Sequence, residues 1–295
     1  MAQDGKLINI NLDTKALSGL SDGVKSFVDM FSREIGAFTK PIHTKRMAKA
    51  KAESAIIAAE GQIKLTEVQQ RGLRRVAIAE GKRQENIESI AQKAIPHISD
   101  QAKAENVDHD WLDNFFDKAR LTSNPEIQEI WAKLLAGEVN QPTSVSKRTI
   151  NLVAQLDSKD AKLFTEFCTY VWMISSPTML IFDIGTGLPG SNGVRFESLK
   201  HLDVLGLLSF EAISDYQRSI IPKQFAIAYF GRFLVIELPQ DKDALGIGHA
   251  LLTETGTQLV SICSPTPSET HYQSVVTKFM DLVYIMHSIP GNKSF

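Results

Sequence analysis

The apolar positions of this chain fall into three successive rhythms. Between residues 17 and 38, Leu17, Leu20, Val24, Phe27, Val28, Phe31, Ile35 and Phe38 recur three or four apart, which is one face of a helix. Lys40-Pro41 stops it, because proline lacks an amide donor and disfavours helix at the residue before it. From Ile42 to Ile95 no proline interrupts a run rich in Ala, Glu, Lys, Arg and Gln. That composition predicts one long helix, weakest near Gly61, Gly72 or Gly81 and ended by Pro96. Within it Ile57, Leu65, Val68, Val76, Ala79, Ile87 and Ile90 follow steps of 8, 3, 8, 3, 8 and 3. An eleven-residue repeat is about 3.67 residues per turn, which gives a nearly straight or slightly right-handed supercoil. So narrow a stripe makes no core alone and asks for partner helices, which self-association supplies most simply. The expected oligomer interface is Ile57, Leu65, Val68, Val76, Ile87 and Ile90.

The third rhythm is a set of shorter helices with start signals. Asp108 can cap a helix carrying Trp111, Phe115 and Ala119 on one face. Ser123 or Asn124, followed by Pro125 and Glu126, starts another with Ile127, Ile130, Trp131, Leu134 and Leu135 buried. Pro142 breaks the chain, and Ser144 or Ser146 restarts it through Ile150, Val153 and Leu156. Asp157 or Ser158 caps a helix holding Ala161, Phe164, Phe167 and Val171.

After Pro177 β-like runs appear at 178–184, 225–230 and 233–238, the last two read as a hairpin at Gly231-Arg232. Between them lies a short helix ending at Gly206, and Thr253 opens a final helical pair reaching Ile285. The order of "FESLKHLDVLGLLS", "YFGRFLVIEL" and "LLTETGTQLVSI" resembles a winged helix. The expected fold is therefore mainly α, a long N-terminal helix and helical bundle followed by a small winged-helix-like α+β domain. Its segments are an amphipathic N-terminal helix (1–41), a long basic helix (42–96), a helical bundle (97–175) and the α+β domain (176–295).

Charge sharpens this picture. Residues 40–93 carry twelve Lys/Arg against six Asp/Glu, so the overall net of −2 leaves −8 for the remainder. No acid precedes Glu53 in the first cluster, Lys45, Arg46, Lys49 and Lys51, whereas Arg71, Arg74 and Arg75 have Glu60, Glu67 and Glu80 nearby. With Arg195, Lys200 and Arg232, the first cluster is the candidate contact for a polyanion or for the acidic part of a neighbouring subunit. The face at 17–38, followed by basic residues, also suits a membrane surface. No apolar run reaches the roughly 18 residues of a spanning helix, and the first residues lack a secretory pattern. Cys168 and Cys263 are read as buried free thiols suited to a reducing cytoplasm.

Catalytic chemistry is hard to find. In "LIFDIGTGLPGSNG" Gly185, Gly187 and Gly190 spell G-x-G-x-x-G after an apolar strand. A dinucleotide fingerprint needs its third glycine to open a helix, but five residues intervene before Phe196, so this is read as a polar loop that binds no nucleotide. Asp108, His109, Asp110, Asp113 and Asp117 read as a solvated helix face, not a metal site. The seven histidines never pair at i,i+3 or i,i+4. No catalytic set, cofactor or metal is expected.

Three stretches carry a family resemblance: "KRQENIESIAQKA" (82–94), "VDHDWLDNFFDKARLTSNPEIQEIWAKLLAGEVNQP" (107–142) and "SKRTINLVAQLDSKDAKLF" (146–164). With "LKHLDVLGLL" and "LLTETGTQLVSI" they resemble the bacterial domain of unknown function 2806, from about Gly36 to Ile262. The resemblance implies no reaction and no catalytic residues. It implies accessory proteins of bacterial genomes and mobile islands, a setting in which antiphage defence is the expectation. The function expected is a non-enzymatic, cytoplasmic, oligomeric interaction or sensor protein, with a protein partner or phage component. The alternatives are a nucleic-acid-binding protein using the basic helix and the winged-helix-like domain, and a membrane-associating protein using helix 17–38.

Overall fold

The structure, a computed structural model, describes residues 20–35, 66–184, 194–219, 223–239, 244–281 and, as backbone only, 285–289. The chain divides into two compact units, Met1–Ile150 and Asn151–Phe295. It is mainly helical, with antiparallel sheet in the C-terminal part.

The first unit contains α1 (Asp22–Ile35), α2 (Glu67–Ala94), α3 (His109–Ala119) and α4 (Pro125–Asn140). Three of their starts follow local chemistry. Thr66 and Gln69 form a reciprocal capping box at α2. Asp108 accepts the Trp111 amide at 2.8 Å, and Asn124 accepts two amides ahead of Pro125, whose missing N–H costs nothing at a helix's first position. Proline then ends α2, as Ile95–His97 tightens into a 3-10 turn. The core is aromatic. Phe115 stacks on Trp111 and meets Phe116 and Trp131 edge-on, all at 5.2–5.4 Å between centroids. Both indoles are satisfied, Trp111 donating to the Val145 carbonyl and Trp131 to Thr122.

The amphipathic face of α1 belongs to this core. Phe27, Val28, Met30 and Phe31 are buried, and Phe31 meets Phe116 edge-on at 5.8 Å. Gly23 lies so close to the 99–102 loop that a Cβ would sit 2.0 Å from the Ser99 carbonyl, and its amide donates to Asp100. The described part of the face suggested for lipid is thus packed against protein, and Leu17 and Phe38 lie outside the described residues. Among the described residues no helix is long and apolar enough to cross a membrane.

The boundary between units falls inside α5 (Lys147–Val153). In the second unit α6 (Ser158–Phe167) opens on a capping box between Asp157 and Asp160 and closes in the 3-10 turn Cys168–Tyr170. The sequence reading continues this helix through Val171; instead β1 (Val171–Ile174) starts there. A short apolar run such as Val-Trp-Met-Ile carries no periodicity that separates a buried strand from a helix. Ser175, at φ 61°, turns β1 back on β2 (Ser176–Met179). Then come α7 (Phe196–Val204), β3 (Leu208–Phe210), β4 (Tyr216–Ser219), β5 (Gln224–Tyr229), β6 (Arg232–Glu237), β7 (Ala244–Gly248), β8 (Ala250–Leu252), α8 (Glu254–Val260), capped by Thr253, α9 (Glu269–Asp281) and β9 (Ile285–Ile289). Ile285, expected in a helix, lies in a strand.

The β5–β6 hairpin turns at Phe230-Gly231, both with positive φ, the primed geometry that matches strand twist. It does not stand free as a wing. The main sheet runs β2-β1-β5-β6-β9 and is antiparallel throughout, so β1 and β9 flank the hairpin. Two smaller pairs, β3-β8 and β4-β7, complete the unit. Gly248, at φ +87°, bridges Ile181, whose carbonyl would lie 1.9 Å from any added Cβ.

Helix α9 covers the sheet with Tyr272, Val275 and Phe279. Beneath it the Trp172 ring stacks on those of Tyr229 (4.7 Å) and Tyr272 (5.6 Å), which also meet each other at 6.1 Å, and its indole donates to Nε2 of buried His271 at 3.1 Å. Burial lowers the His271 pKa to about 4. An unfolded histidine titrates near 6.5, so between these values the unfolded chain binds the extra proton and stability is lost as the pH is lowered. Unfolding measured from pH 7 to 4 should show a loss approaching about 3 kcal/mol from this group, flat above its unfolded pKa. His271→Gln, which keeps an acceptor for the indole, should flatten the profile; an unchanged profile would contradict this origin.

Candidate interaction surface

Helix α2 is 28 residues long, about 42 Å, and its two halves meet different surroundings. In the C-terminal half Ile87, Ile90, Ala91 and Ala94 are buried, with α4 the main partner. A polar seam aligns the pair. Asn86 donates to the Arg120 carbonyl (2.9 Å), Gln128 donates to the Thr122 carbonyl (2.9 Å) and accepts from Ser89 (2.9 Å), and Lys93 donates to the Pro125 carbonyl (3.0 Å). Desolvation there lowers the Lys93 pKa, although Glu129 opposes it.

The N-terminal half has the same stripe without cover. At 100° per residue Val68, Gly72, Val76 and Ala79 fall in the sector that holds Ile87 and Ile90. Val68 is 69% exposed and Val76 55%, while Ile87 is 7% exposed and Ile90 1%. Leu73 is exposed beside Val76, and Ile78 is exposed on the other side of the helix, among the cations. Arg71, Arg75 and Lys82 run along one flank, and with Arg74, Ile78 and Ala79 they line an open groove. Arg71 pairs with Glu67 at 3.5 Å and Arg83 with Glu80, exposed pairs of small energetic weight.

The candidate interface residues therefore separate. Val68 and Val76 are presented; Ile87 and Ile90 are taken inside the unit, since α4 occupies their face, and cannot also meet another subunit. Ile57 and Leu65 lie outside the described residues, as do Lys45, Arg46, Lys49 and Lys51. In the second unit Arg195 is exposed at the start of α7. Lys200 turns to Asp203 at 2.6 Å, and Arg232 pairs with Glu269 while its guanidinium covers the Tyr272 ring at 3.3 Å. The last two are engaged locally and form no shared basic surface with Arg195. The groove cations Arg71, Arg74, Arg75 and Lys82 were not singled out by sequence as a contact, because nearby glutamates balance them along the chain; the helix nevertheless presents them together.

Other chemistry is sparse. Gly185, Gly187 and Gly190 lie outside the described residues. Asp110, Asp113 and Asp117 are exposed on α3. Asp117, hydrogen-bonded by Lys118 and Arg120, is held below the usual carboxylate range. Among the described residues no group of three or more His, Cys, Asp or Glu could hold a metal ion.

The fold and this surface define a class: a mainly helical chain with an antiparallel-sheet unit, whose candidate site is a helix face and not a cleft. The chain belongs to the family described as Protein of unknown function (DUF2806), which matches residues 70–276. The match begins within α2 and so takes in Val76 and the groove cations. It continues past Ile262 into α9. No curated protein and no solved structure matches the chain.

In dilute solution, Val76→Ser should change the unfolding free energy by less than about 0.5 kcal/mol. Ile90→Ala should cost about 2–5 kcal/mol by leaving a cavity under α4. Urea unfolding of both variants checks this, and equal losses would mean that the stripe is one continuous core.

Proposed function

We propose that this protein is a non-enzymatic interaction protein that self-associates through the N-terminal half of α2, a second copy covering the stripe where α4 stops. The observation that carries this reading is the exposure of Val68 and Val76 on the face that is buried at Ile87 and Ile90. Charge supports the same occupant. The basic flank of α2 needs an acidic counterpart, and the chain offers exposed Asp113 on α3, beside Asp110 and Asp117, whose nearer partners are Lys147 and the Lys118–Arg120 pair. Apolar burial supplies the affinity, and the opposed charges set register and orientation.

A nucleic-acid reading is favoured by one observation, the convergence of Arg71, Arg74, Arg75 and Lys82 on a single groove. Phosphate contacts would then dominate, and affinity would fall with salt at a slope near −0.9 per contact on duplex DNA.

Light scattering of the full chain at micromolar concentration should give an oligomer. Val68→Lys with Val76→Lys should lower the mass to that of one chain while the C-terminal unit stays folded. A wild-type monomer would overturn the proposal. Tight wild-type DNA binding at physiological salt, lost in Arg71→Glu with Arg75→Glu, would install the second reading.

A further inference from the structure

The chain has two cysteines, roughly 95 residues apart in sequence, and the second unit brings them together. Cys168 opens the 3-10 turn after α6; Cys263 follows α8 in the loop leading to α9, its amide bonded to the Leu259 carbonyl. The sulfur of Cys263 lies 3.8 Å from the Thr165 hydroxyl, and Thr165 is one helical turn before Cys168. Residues three apart share a helix face, so the Cys263 sulfur lies beside the Cys168 side chain, whose thiol it influences. Ties on either side hold the segments in place: Thr169 donates to the Thr266 carbonyl (3.2 Å), and the Ser268 amide donates to the Tyr229 hydroxyl (2.9 Å), which in turn donates to the Thr169 carbonyl (3.0 Å). Both cysteines are free.

The geometry points to Cys168 and Cys263 as an oxidisable dithiol, a modification site that a hydroperoxide closes to a disulfide. The two sulfurs have distinct parts. Cys263 is half-buried and reachable by a small oxidant, whereas Cys168 is fully buried. The neighbouring Cys263 thiol and burial push the Cys168 thiol up, so it keeps its proton until its partner has reacted. Cys263, as thiolate, attacks a peroxide oxygen. An S–O bond forms, the O–O bond breaks, and the departing hydroxide leaves as water on taking up a proton. Cys168 then attacks the Cys263 sulfur. The S–S bond forms, the S–O bond breaks, and hydroxide leaves with the Cys168 proton as a second water. Two thiols have lost two electrons and two protons, and hydrogen peroxide has become two waters. The product staples the loop before α9 to the turn before β1, the two segments that enclose Trp172 and His271.

The test uses the wild-type full chain and hydrogen peroxide at a small molar excess. Peptide mapping should find a 168–263 cross-link within one chain, with the mass of two hydrogens lost and no thiol left for iodoacetamide. The melting temperature of the second unit should rise by roughly 5–10 °C, as expected for closing so long a loop, and dithiothreitol should reverse both changes. In Cys168→Ser, Cys263 should accumulate sulfenic or sulfinic acid; in Cys263→Ser, Cys168 should stay reduced. Over-oxidation of Cys263 in the wild type, a cross-link between chains, or two thiols that persist under the oxidant would each overturn the inference.

Discussion

Among the described residues, helix α2 is held by its own unit mainly where α4 packs on it. Helix α4 has 16 residues, about 24 Å, against the 28 residues of α2, and the docking uses the part of α2 between Asn86 and Ala94. There the apolar stripe is sealed by α4, and the polar groups beside it are satisfied by Thr122, Arg120 and Pro125 backbone carbonyls. Buried amides would be costly without those partners, so the seam fixes the register of the two helices as well as their contact. The remainder of the stripe inherits the spacing but not the cover. An exposed apolar row on a rigid, capped helix is the feature from which the functional reading follows.

The second unit solves a different problem. Its strands are short, and a β5–β6 hairpin alone would be marginal. Flanking by β1 and β9 and the lid of α9 make it an interior, and the stacked Tyr229, Trp172 and Tyr272 rings fill it. Polar atoms inside are matched in pairs, the Trp172 indole with His271 and the Tyr229 hydroxyl with Thr169 and Ser268. The two cysteines sit at the margin of this cluster, Cys168 buried and Cys263 half-buried.

What could be read from sequence follows the range of the interaction responsible. Caps at Asp108, Asn124, Asp157 and Thr253 are local chemistry and are seen in the residues themselves. The break at Pro96 and the hairpin near Gly231 are equally local. The short strands β4, β7 and β8 were not legible, because partners far along the chain define them; nor was β1, whose continuous apolar run suits either state. The eleven-residue stripe was legible as a periodicity, yet spacing treats Val76 and Ile87 alike. Only the end of α4 tells them apart: spacing alone puts Ile87 and Ile90 at an oligomer interface, whereas α4 buries them within their own unit. The meeting of Cys168 and Cys263 had no local signal at all.

Amide hydrogen exchange of the wild-type chain, recorded across a range of protein concentrations, tests the central claim most directly, because it reads the two halves of α2 separately. Protection over 86–94 should stay constant, set by α4 within the unit. Protection over 67–83 should rise with concentration as a second copy covers Val68 and Val76. Equal, concentration-independent protection along the whole helix would contradict the account.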